Sequence, residues 1–175
     1  LLAGLPGSVF DAAMVSSVDD TITAIDYLRT HAREFGLDVD RLGLVGGSAG
    51  AITADHIAYV LDDHGISGPR VRFVASLWGG ILIPAPTGHG DVAAAQLNHG
   101  EAALFAVHGD HDSSVRVALD DELVARATAE HVPVEYERIA GGEHSFEGTQ
   151  FFTRPVVGPQ TAFDRLLAFA AAHLR

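Results

Sequence analysis

Residues 41–51 read Arg41-Leu-Gly-Leu-Val-Gly46-Gly47-Ser48-Ala49-Gly50-Ala51, an apolar run that leads into Gly-x-Ser-x-Gly. The apolar run predicts a β-strand, and the residues that follow predict a helix. A serine between strand and helix in this pentapeptide is typical of a sharp turn that presents a nucleophile, with Gly46 and Gly50 leaving room for the crowded backbone. The helix would direct its first N–H groups toward developing negative charge, so we expect the N–H of Ala49 to bind an oxyanion. Ser48 is therefore the candidate nucleophile.

Two later loops contain the partners that a serine nucleophile needs. The loop after a predicted strand at 103–107 contains Asp112, and the loop after a predicted strand at 134–139 contains His144. A serine hydroxyl is a weak nucleophile near neutral pH, so it needs a base that takes its proton and an acid that orients the base. The carboxyl ends of parallel strands lie along one rim of a sheet, where Ser48, Asp112 and His144 can converge. These three residues are the candidate catalytic set, in the chain order Ser, Asp, His.

Three further motifs resemble those of a known superfamily. They are Phe35-Gly36-Leu37-Asp38-Val39-Asp40-Arg41 before the turn, Ser76-Leu77-Trp78-Gly79-Gly80-Ile81, and His108-Gly-x-x-Asp112-x-x-Val115. Together with the turn, they resemble the carboxylesterase and lipase branch of the α/β-hydrolases over nearly the whole chain. The resemblance implies hydrolysis of carboxylic esters, small or polymeric, through an acyl-enzyme on Ser48, with no metal or organic cofactor. It also implies that Asp112 rather than Asp110 is the acid and that His144 is the base.

The rest of the chain alternates between strand and helix patterns. Strands are expected at 42–46, 71–76, 103–107 and 134–139, and helices from an N-cap at Ser17 to 36, from Ser48 to about 63, at 117–130 and at 160–173. This alternation predicts an α/β fold in which helices flank a mostly parallel sheet, in a single domain of residues 1–175. By the resemblance, it corresponds to the C-terminal part of the α/β-hydrolase fold, with about four strands.

Two features of the superfamily are missing from this sequence. Members usually begin with about four additional strands and a His-Gly-Gly-Gly-type loop that helps to bind the oxyanion, and neither is found here. We expect the second oxyanion donor to come from another chain or from preceding sequence. The first predicted strand would form an edge of the sheet, and an unprotected apolar edge recruits a partner. We therefore expect a second copy or an N-terminal segment to cover residues 42–45.

The segment at 79–100 resembles a short form of the lid that covers the acyl pocket in this superfamily. A short lid would leave the site open, and Gly47, Trp78 and Phe146 are the candidate pocket residues, with Phe151 and Phe152 nearby in sequence. Apolar and aromatic side chains are the usual lining of small-molecule sites. The alternative is that these aromatic residues belong to the core.

Composition excludes several classes of function. The net charge of −12 argues against a nucleic-acid surface, because phosphate binding needs clustered Lys and Arg. All eleven basic residues are arginine and there is no cysteine, so this chain has no Walker A loop, Schiff-base lysine, disulfide or thiolate. No apolar run reaches the ~20 residues of a membrane span. The sequence predicts a soluble protein and leaves open whether it is cytoplasmic or secreted.

Two alternative functions remain open at this stage. His108, Asp110, His111 and Asp112 form a dense cluster of potential ligands for a divalent ion, which would suit a metal-dependent hydrolase. The missing first half of the sheet suggests instead a catalytically silent α/β-hydrolase-like fragment that acts as an interaction domain.

Overall fold

The computed structural model describes residues 7–82, 97–147 and 150–175, and a four-stranded parallel sheet lies at its centre. The strands are β1 (Gly43–Gly47), β2 (Phe73–Leu77), β3 (Ala103–Gly109) and β4 (Val134–Ile139). Their spatial order follows the chain, β1-β2-β3-β4, and every neighbouring pair is parallel. The predicted fold class is therefore confirmed, with each predicted strand found at its expected place.

Helices cover both faces of this sheet. They are α1 (Gly7–Thr30), α2 (Ala32–Phe35), α3 (Ala49–Tyr59), α4 (Ala118–Ala129), α5 (Gln150–Thr153) and α6 (Ala162–His173). Short 3-10 turns lie at Asp62–His64 and His144–Glu147, and a two-stranded antiparallel ribbon pairs β5 (Pro155–Val157) with β6 (Gln160–Thr161). Of the described helices, none is long and apolar enough to cross a bilayer.

Successive side chains of the central strands lie on opposite faces of the sheet, so the core has two layers. On one face Val74 and Leu104 pack against residues of α3 and α4, such as Leu123. On the other face Phe73 and Phe105 meet Phe169 of α6, with ring centroids 6.1 and 5.6 Å apart. Strands that are buried on both faces need apolar residues at every position, and all residues of β2 and β3 are buried.

The first helix differs from the sequence prediction. It begins at Gly7 rather than after an N-cap at Ser17, so that prediction is wrong. Ser17 lies inside the helix, where its hydroxyl donates to the carbonyl of Met14 at 2.9 Å and lies 3.0 Å from Oγ1 of Thr53 on α3. The serine therefore joins two packed helices instead of starting one.

The predicted lid-like segment at 79–100 falls largely outside the described residues. Only residues 79–82 and 97–100 of it belong to the described part of the chain.

Strand β1 forms one edge of the described sheet, as predicted. It pairs with β2 on one side, and the side chain of Val45 is 57% exposed. On the helix-covered face, Leu44 packs with Val18 of α1 and Ile57 of α3. One face of the strand thus packs into the core, while its outer backbone edge pairs with no other strand of the described residues.

The two glycines of the turn after β1 are not equivalent. A Cβ atom on Gly46 would lie 2.2 Å from the carbonyl carbon and oxygen of Gly50. No described atom lies within 4 Å of a Cβ placed on Gly50 itself. The expectation that both glycines leave room for the turn is therefore correct for Gly46 and wrong for Gly50.

We predict that Gly46→Ala lowers the free energy of unfolding by about 2 kcal/mol or more, since its methyl group collides with fixed backbone. The matched variant Gly50→Ala has space for the methyl group and gains helix propensity in the first turn of α3, so its stability should be unchanged or slightly higher. Urea unfolding of both variants measures the difference. Equal destabilisation by the two substitutions would contradict this account of the turn.

Candidate active site

Ser48 occupies a strained position between β1 and α3. Its backbone dihedrals are φ 56° and ψ −122°, in a region that residues with a side chain rarely adopt. Such strain costs about 1–3 kcal/mol and persists only where surrounding contacts fix it. The N–H of Ser48 donates to the carbonyl of Leu77 at 2.9 Å, and the carbonyl of Ser48 accepts from Ile52 at 3.1 Å. The sheet and the helix thus hold the turn from both sides.

The structure brings Ser48, Asp112 and His144 into one hydrogen-bonded chain. Nδ1 of His144 donates to Oδ2 of Asp112 at 2.7 Å, and the hydroxyl of Ser48 donates to Nε2 of His144 at 3.0 Å. Because a carboxylate only accepts, the proton of the neutral imidazole must lie on Nδ1, which leaves Nε2 free to take the serine proton. The Asp112 side chain is 0% exposed and that of His144 is 26% exposed.

Hydrogen bonds keep the buried Asp112 carboxylate charged. Its Oδ1 accepts the N–H groups of Ser114 and Val115, each at 2.8 Å. Burial raises the pKa of Asp112, but the bonds from Val115, His144 and Ser114 outweigh burial and hold the pKa below its ordinary value. The group that faces the imidazole is therefore a carboxylate at neutral pH.

Asp110 has a different set of partners. Its Oδ2 accepts from Nη1 of Arg138 at 3.1 Å, and its Oδ1 accepts from the N–H of Gly141 at 2.7 Å. These contacts join the loop after β3 to the loop after β4. Asp110 is therefore bonded to Arg138 and Gly141, whereas Asp112 bonds His144.

The same geometry separates the members of the 108–112 cluster. His108 lies 3.2 Å from Asp112, but Asp110 is engaged with Arg138, and the side chain of His111 is 67% exposed. Within the described ranges, no group of three or more His, Asp or Glu side chains is arranged to hold a metal ion. The four residues of this cluster are thus not brought together around one point.

Aromatic side chains surround His144 on its inner side. The ring of Trp78 stands edge-on to His144 at a centroid distance of 6.4 Å and to Phe146 at 5.3 Å, and Phe151 packs 5.9 Å from Trp78. A Cβ atom on Gly47 would lie 3.1 Å from the indole of Trp78. The candidate pocket residues Gly47, Trp78 and Phe146 are therefore neighbours. Their role in binding substrate stays a prediction, because Phe146 is buried in the core cluster behind the indole.

The segment that contains His144 is held in an unusual conformation. Ser145 and Phe146 have φ values of 60° and 48°, and Trp78, which contacts both His144 and Phe146, has a φ of 46°. Three non-glycine residues in the left-handed region are uncommon in so small a volume, and such strain concentrates at functional sites. The position of His144 is thus fixed by packing and by backbone geometry together.

A groove opens beside the serine turn. It has a volume of about 540 Å³, and its lining includes Val45 of β1, Ala49 and Gly50 of α3, and Met14 of α1. Ala49 is the first residue of α3, and the N–H groups in the first turn of a helix have no acceptor within that helix. The residue with the candidate oxyanion donor therefore lines this groove.

A second group of polar side chains continues the chain of hydrogen bonds behind Asp112. His108, Asp120, Ser76 and Asp55 are buried there, and sequence reasoning assigned none of them to the candidate active site. The sequences of two helices do contain a sign of these buried acids, because each acid shares the core-facing side of its helix with apolar residues. Asp55 lies on the same side of α3 as Ile52 and Tyr59, and Asp120 on the same side of α4 as Leu123 and Ala127. An acidic residue in an apolar stripe at helical spacing marks a buried carboxyl group that requires a partner.

The family model BD-FAE, an esterase-associated domain, matches residues 8–76. The matched range runs from α1 to β2 and contains Ser48, whereas Asp112 and His144 lie beyond it. A search of curated protein sequences found no match.

Several solved structures are similar to this chain over 90% of its length. A truncated carbohydrate esterase from gut microbiota is 14% identical with a TM-score of 0.67, and esterase 2 from Thermogutta terrifontis is 23% identical with a TM-score of 0.66. An α/β-hydrolase enzyme from a Medee basin deep-sea metagenome library is 18% identical with a TM-score of 0.64. The chain spans 68% of the first of these proteins and 62% of each of the others. The chain therefore has the α/β-hydrolase fold, as the sequence predicted.

We predict that Asp112→Asn lowers the free energy of unfolding at pH 7 by about 2–4 kcal/mol, because an amide places donors against imidazole N–H groups in a buried site. The folded-state pKa of Asp112 is depressed, so its contribution to stability is present above the unfolded-state pKa and is lost as pH falls through the folded value. The gap between wild type and Asp112→Asn should therefore shrink below about pH 4.

Urea unfolding between neutral and acidic pH measures this gap, and Asp110→Asn on the same loop is the matched control. A gap that stays constant from pH 7 to the acid limit would show that Asp112 is not stabilised as a carboxylate.

Proposed function

We propose that this chain supplies the nucleophile, base and acid of a serine-dependent carboxylic ester hydrolase. The observation that supports the proposal most strongly is the chain of hydrogen bonds from Ser48 through His144 to Asp112, with the serine on a strained turn at a helix N-terminus. The esterase structures that share the fold and the esterase-associated family match support ester hydrolysis in general.

The proposed reaction begins when the hydroxyl of Ser48 attacks the carbonyl carbon of an ester. His144 takes the hydroxyl proton on Nε2, the N–H of Ala49 donates to the oxygen that becomes negative, and Asp112 stabilises the imidazolium. Collapse of the tetrahedral species breaks the bond to the alcohol, which leaves with the proton from His144, and the acyl group stays on Ser48. Water then attacks the acyl-enzyme with His144 as base, which releases the carboxylic acid and restores the serine.

The acyl pocket is proposed to lie beside Trp78. A Cβ atom on Gly47, next to the nucleophile, would lie 3.1 Å from the indole, and the indole stands edge-on to His144, so this ring is close to the proposed site of acylation. Phe146 supports the indole from the core side. Both small-molecule and polymeric esters remain candidate substrates.

A catalytically silent interaction domain is the second candidate function, and the exposed outer edge of β1 favours it. A fluorophosphonate probe separates the two candidates because it labels only an activated serine. Labelling of Ser48 supports the enzyme, whereas an unlabelled, folded protein supports the interaction domain.

We predict that Ser48→Ala and His144→Ala each lower kcat/KM for a chromogenic short-chain ester by about 10⁴- to 10⁶-fold, because each removes a group that acts in the transition state. Asp112→Asn should cost about as much or somewhat less, since it disturbs the His144 tautomer. Asp110→Asn is the matched control and should be much milder, because Asp110 contacts Arg138 and Gly141 instead of the imidazole. The assignment of the acid fails if Asp110→Asn is the more damaging change.

We also propose that a second copy of the chain pairs along the outer edge of β1. The exposed Val45 and the groove beside Ala49 would be covered by such a contact, which could also bring a donor to the oxyanion.

For this edge we predict that Val45→Lys lowers the average mass of the protein in light scattering at a fixed concentration, because a charged side chain discourages edge pairing. Leu167→Lys is the control, since Leu167 is similarly exposed, at 52%, but lies on α6. A wild-type protein that is monomeric at all concentrations, with ordinary esterase rates, would contradict the proposed pairing.

A further inference from the structure

The mechanism above leaves a buried histidine without a role. His108 is 0% exposed and lies in β3, directly behind the acid of the candidate site. Its Nε2 is 3.2 Å from Oδ2 of Asp112, the same oxygen that accepts from His144, and 3.0 Å from the carbonyl of Val115. Its Nδ1 is 2.7 Å from Oδ2 of Asp120.

The hydrogen-bond partners of His108 determine where its protons lie. A backbone carbonyl can only accept, so Nε2 carries a proton that it donates to Val115. At Nδ1 one further proton lies between His108 and Asp120. The pair of His108 and Asp120 therefore holds two protons and has no net charge, and its protonated Nε2 lies 3.2 Å from Oδ2 of Asp112.

A second layer anchors Asp120 in turn. The hydroxyl of Ser76 lies 3.2 Å from Oδ1 of Asp120 and 2.8 Å from Oδ2 of Asp55, and the N–H of Gly80 is 3.1 Å from both Ser76 and Asp55. Ser76 has one proton for two carboxyl groups, so one of them must be protonated. Burial raises the pKa of both acids. The charge of Asp120 raises the pKa of Asp55 further, whereas the bond from His108 lowers that of Asp120, so we assign the proton to Asp55.

This order gives every hydrogen bond in the buried chain a consistent direction. Asp55 donates to Ser76, Ser76 donates to Asp120, and His108, anchored by Asp120, holds its protonated Nε2 beside Asp112. From the other side Ser48 donates to His144, which donates to Asp112. Both branches thus end on one carboxylate.

We propose that His108, anchored by Asp120, is a positioning residue that holds Asp112 in its rotamer and moderates the basicity of His144 through the shared oxygen. This role rests on the proposed ester hydrolysis. The positive Nε2–H end of His108 stabilises the negative charge on Oδ2 of Asp112, which weakens the attraction of that oxygen for the proton on His144. Loss of this contact removes one of the groups that hold the Asp112 carboxylate in place and makes His144 harder to deprotonate.

The protonation of the pair agrees with this geometry. Burial lowers the pKa of His108, but the hydrogen bond and charge of Asp120 outweigh burial and the pKa is raised. The other ionisable groups that face the pair are Asp55 from α3, Asp112 and His144; Tyr136 of β4 feels the charge of Asp120 but donates its hydroxyl to Asp121 at 2.7 Å. His108 therefore presents a charged or charge-assisted ring to Asp112, and its bond to Asp120 is of the kind that is about twice as strong as a neutral one.

Two substitutions at this position separate positioning from simple packing. The amide nitrogen of Gln reaches the place of Nε2, so His108→Gln keeps an N–H group beside Asp112. The amide nitrogen of Asn reaches only the place of Nδ1, so His108→Asn keeps a contact with Asp120 and loses that N–H group. His111→Asn, on an exposed side chain of the same loop, is the matched control.

Two quantities are measured for each variant: kcat and KM for a chromogenic short-chain ester, and the rate at which a fluorophosphonate labels Ser48. Both are followed between about pH 5 and 9, at a temperature well below the melting temperature of the variant. For His108→Asn we expect kcat and the labelling rate to fall about 10- to 100-fold with KM changed less than about threefold, because the bond acts through the base and not on the substrate. The acid limb of the pH profile should move about half a pH unit or more toward higher pH. His108→Gln should stay within about threefold of wild type, and His111→Asn should match wild type.

Equal losses for the Asn and Gln variants, in parallel with falling melting temperatures and with an unmoved acid limb, would overturn the proposal and leave His108 a packing residue.

Where His108→Asn does not fold, Asp120→Asn takes its place, because it keeps the shape of the pair and removes the charge that supports His108. An acid limb that moves to higher pH in that variant supports the proposal, and an unmoved limb overturns it. A wild-type chain that neither hydrolyses the ester nor is labelled at Ser48 overturns the proposed function and this role together. An active wild type whose His108 variants keep wild-type rates and pH profiles overturns this role alone.

Discussion

One carboxylate oxygen, Oδ2 of Asp112, is the point on which the candidate site depends. It accepts a hydrogen bond from Nδ1 of His144 at 2.7 Å and lies 3.2 Å from Nε2 of His108, while the other oxygen of the same group accepts two backbone N–H groups. A carboxylate that is bonded at both oxygens is held in one rotamer and stays ionised. The tautomer of His144 follows from that charge, and only this tautomer presents an unprotonated nitrogen to Ser48.

The parallel sheet brings these residues to one rim, but it does not by itself bring them into contact. Neighbouring strands are about 4.8 Å apart, so the outermost strands β1 and β4 end roughly 14 Å from one another. The loop after β4 bridges that distance because it is joined to the loop after β3: the N–H of His111 donates to the carbonyl of Gly142 at 2.9 Å, and a Cβ on Gly109 would lie 2.2 Å from the same oxygen. The joined loops then extend over the end of β2, where Trp78 supports His144.

Sequence patterns predicted the parts of this molecule that are encoded locally. Four strands could be read as short apolar runs, and the three residues of the hydrogen-bonded chain could be identified because each directly follows a strand. The start of α1 was missed because Ser17 matches the pattern of an N-cap, and its pairing with Thr53, 36 positions away, leaves no local mark. Gly50 was misjudged for a related reason, since a glycine required by the turn and one with free space around it look the same in sequence.

The buried chain behind Asp112 was missed because it depends on contacts among α3, α4, β2 and β3. Two carboxyl groups and an imidazole without access to solvent are costly, and apolar residues of similar volume at such positions often leave a protein equally or more stable. Asp55 even retains one buried oxygen without a hydrogen-bond partner among the described residues. Stability alone therefore does not account for these residues in the middle of two apolar helix stripes. The feature that they share is their place in one chain of contacts, which leads through His108 to the carboxylate that orients His144, and a site that relies on a single oxygen gains from a rigid network behind it.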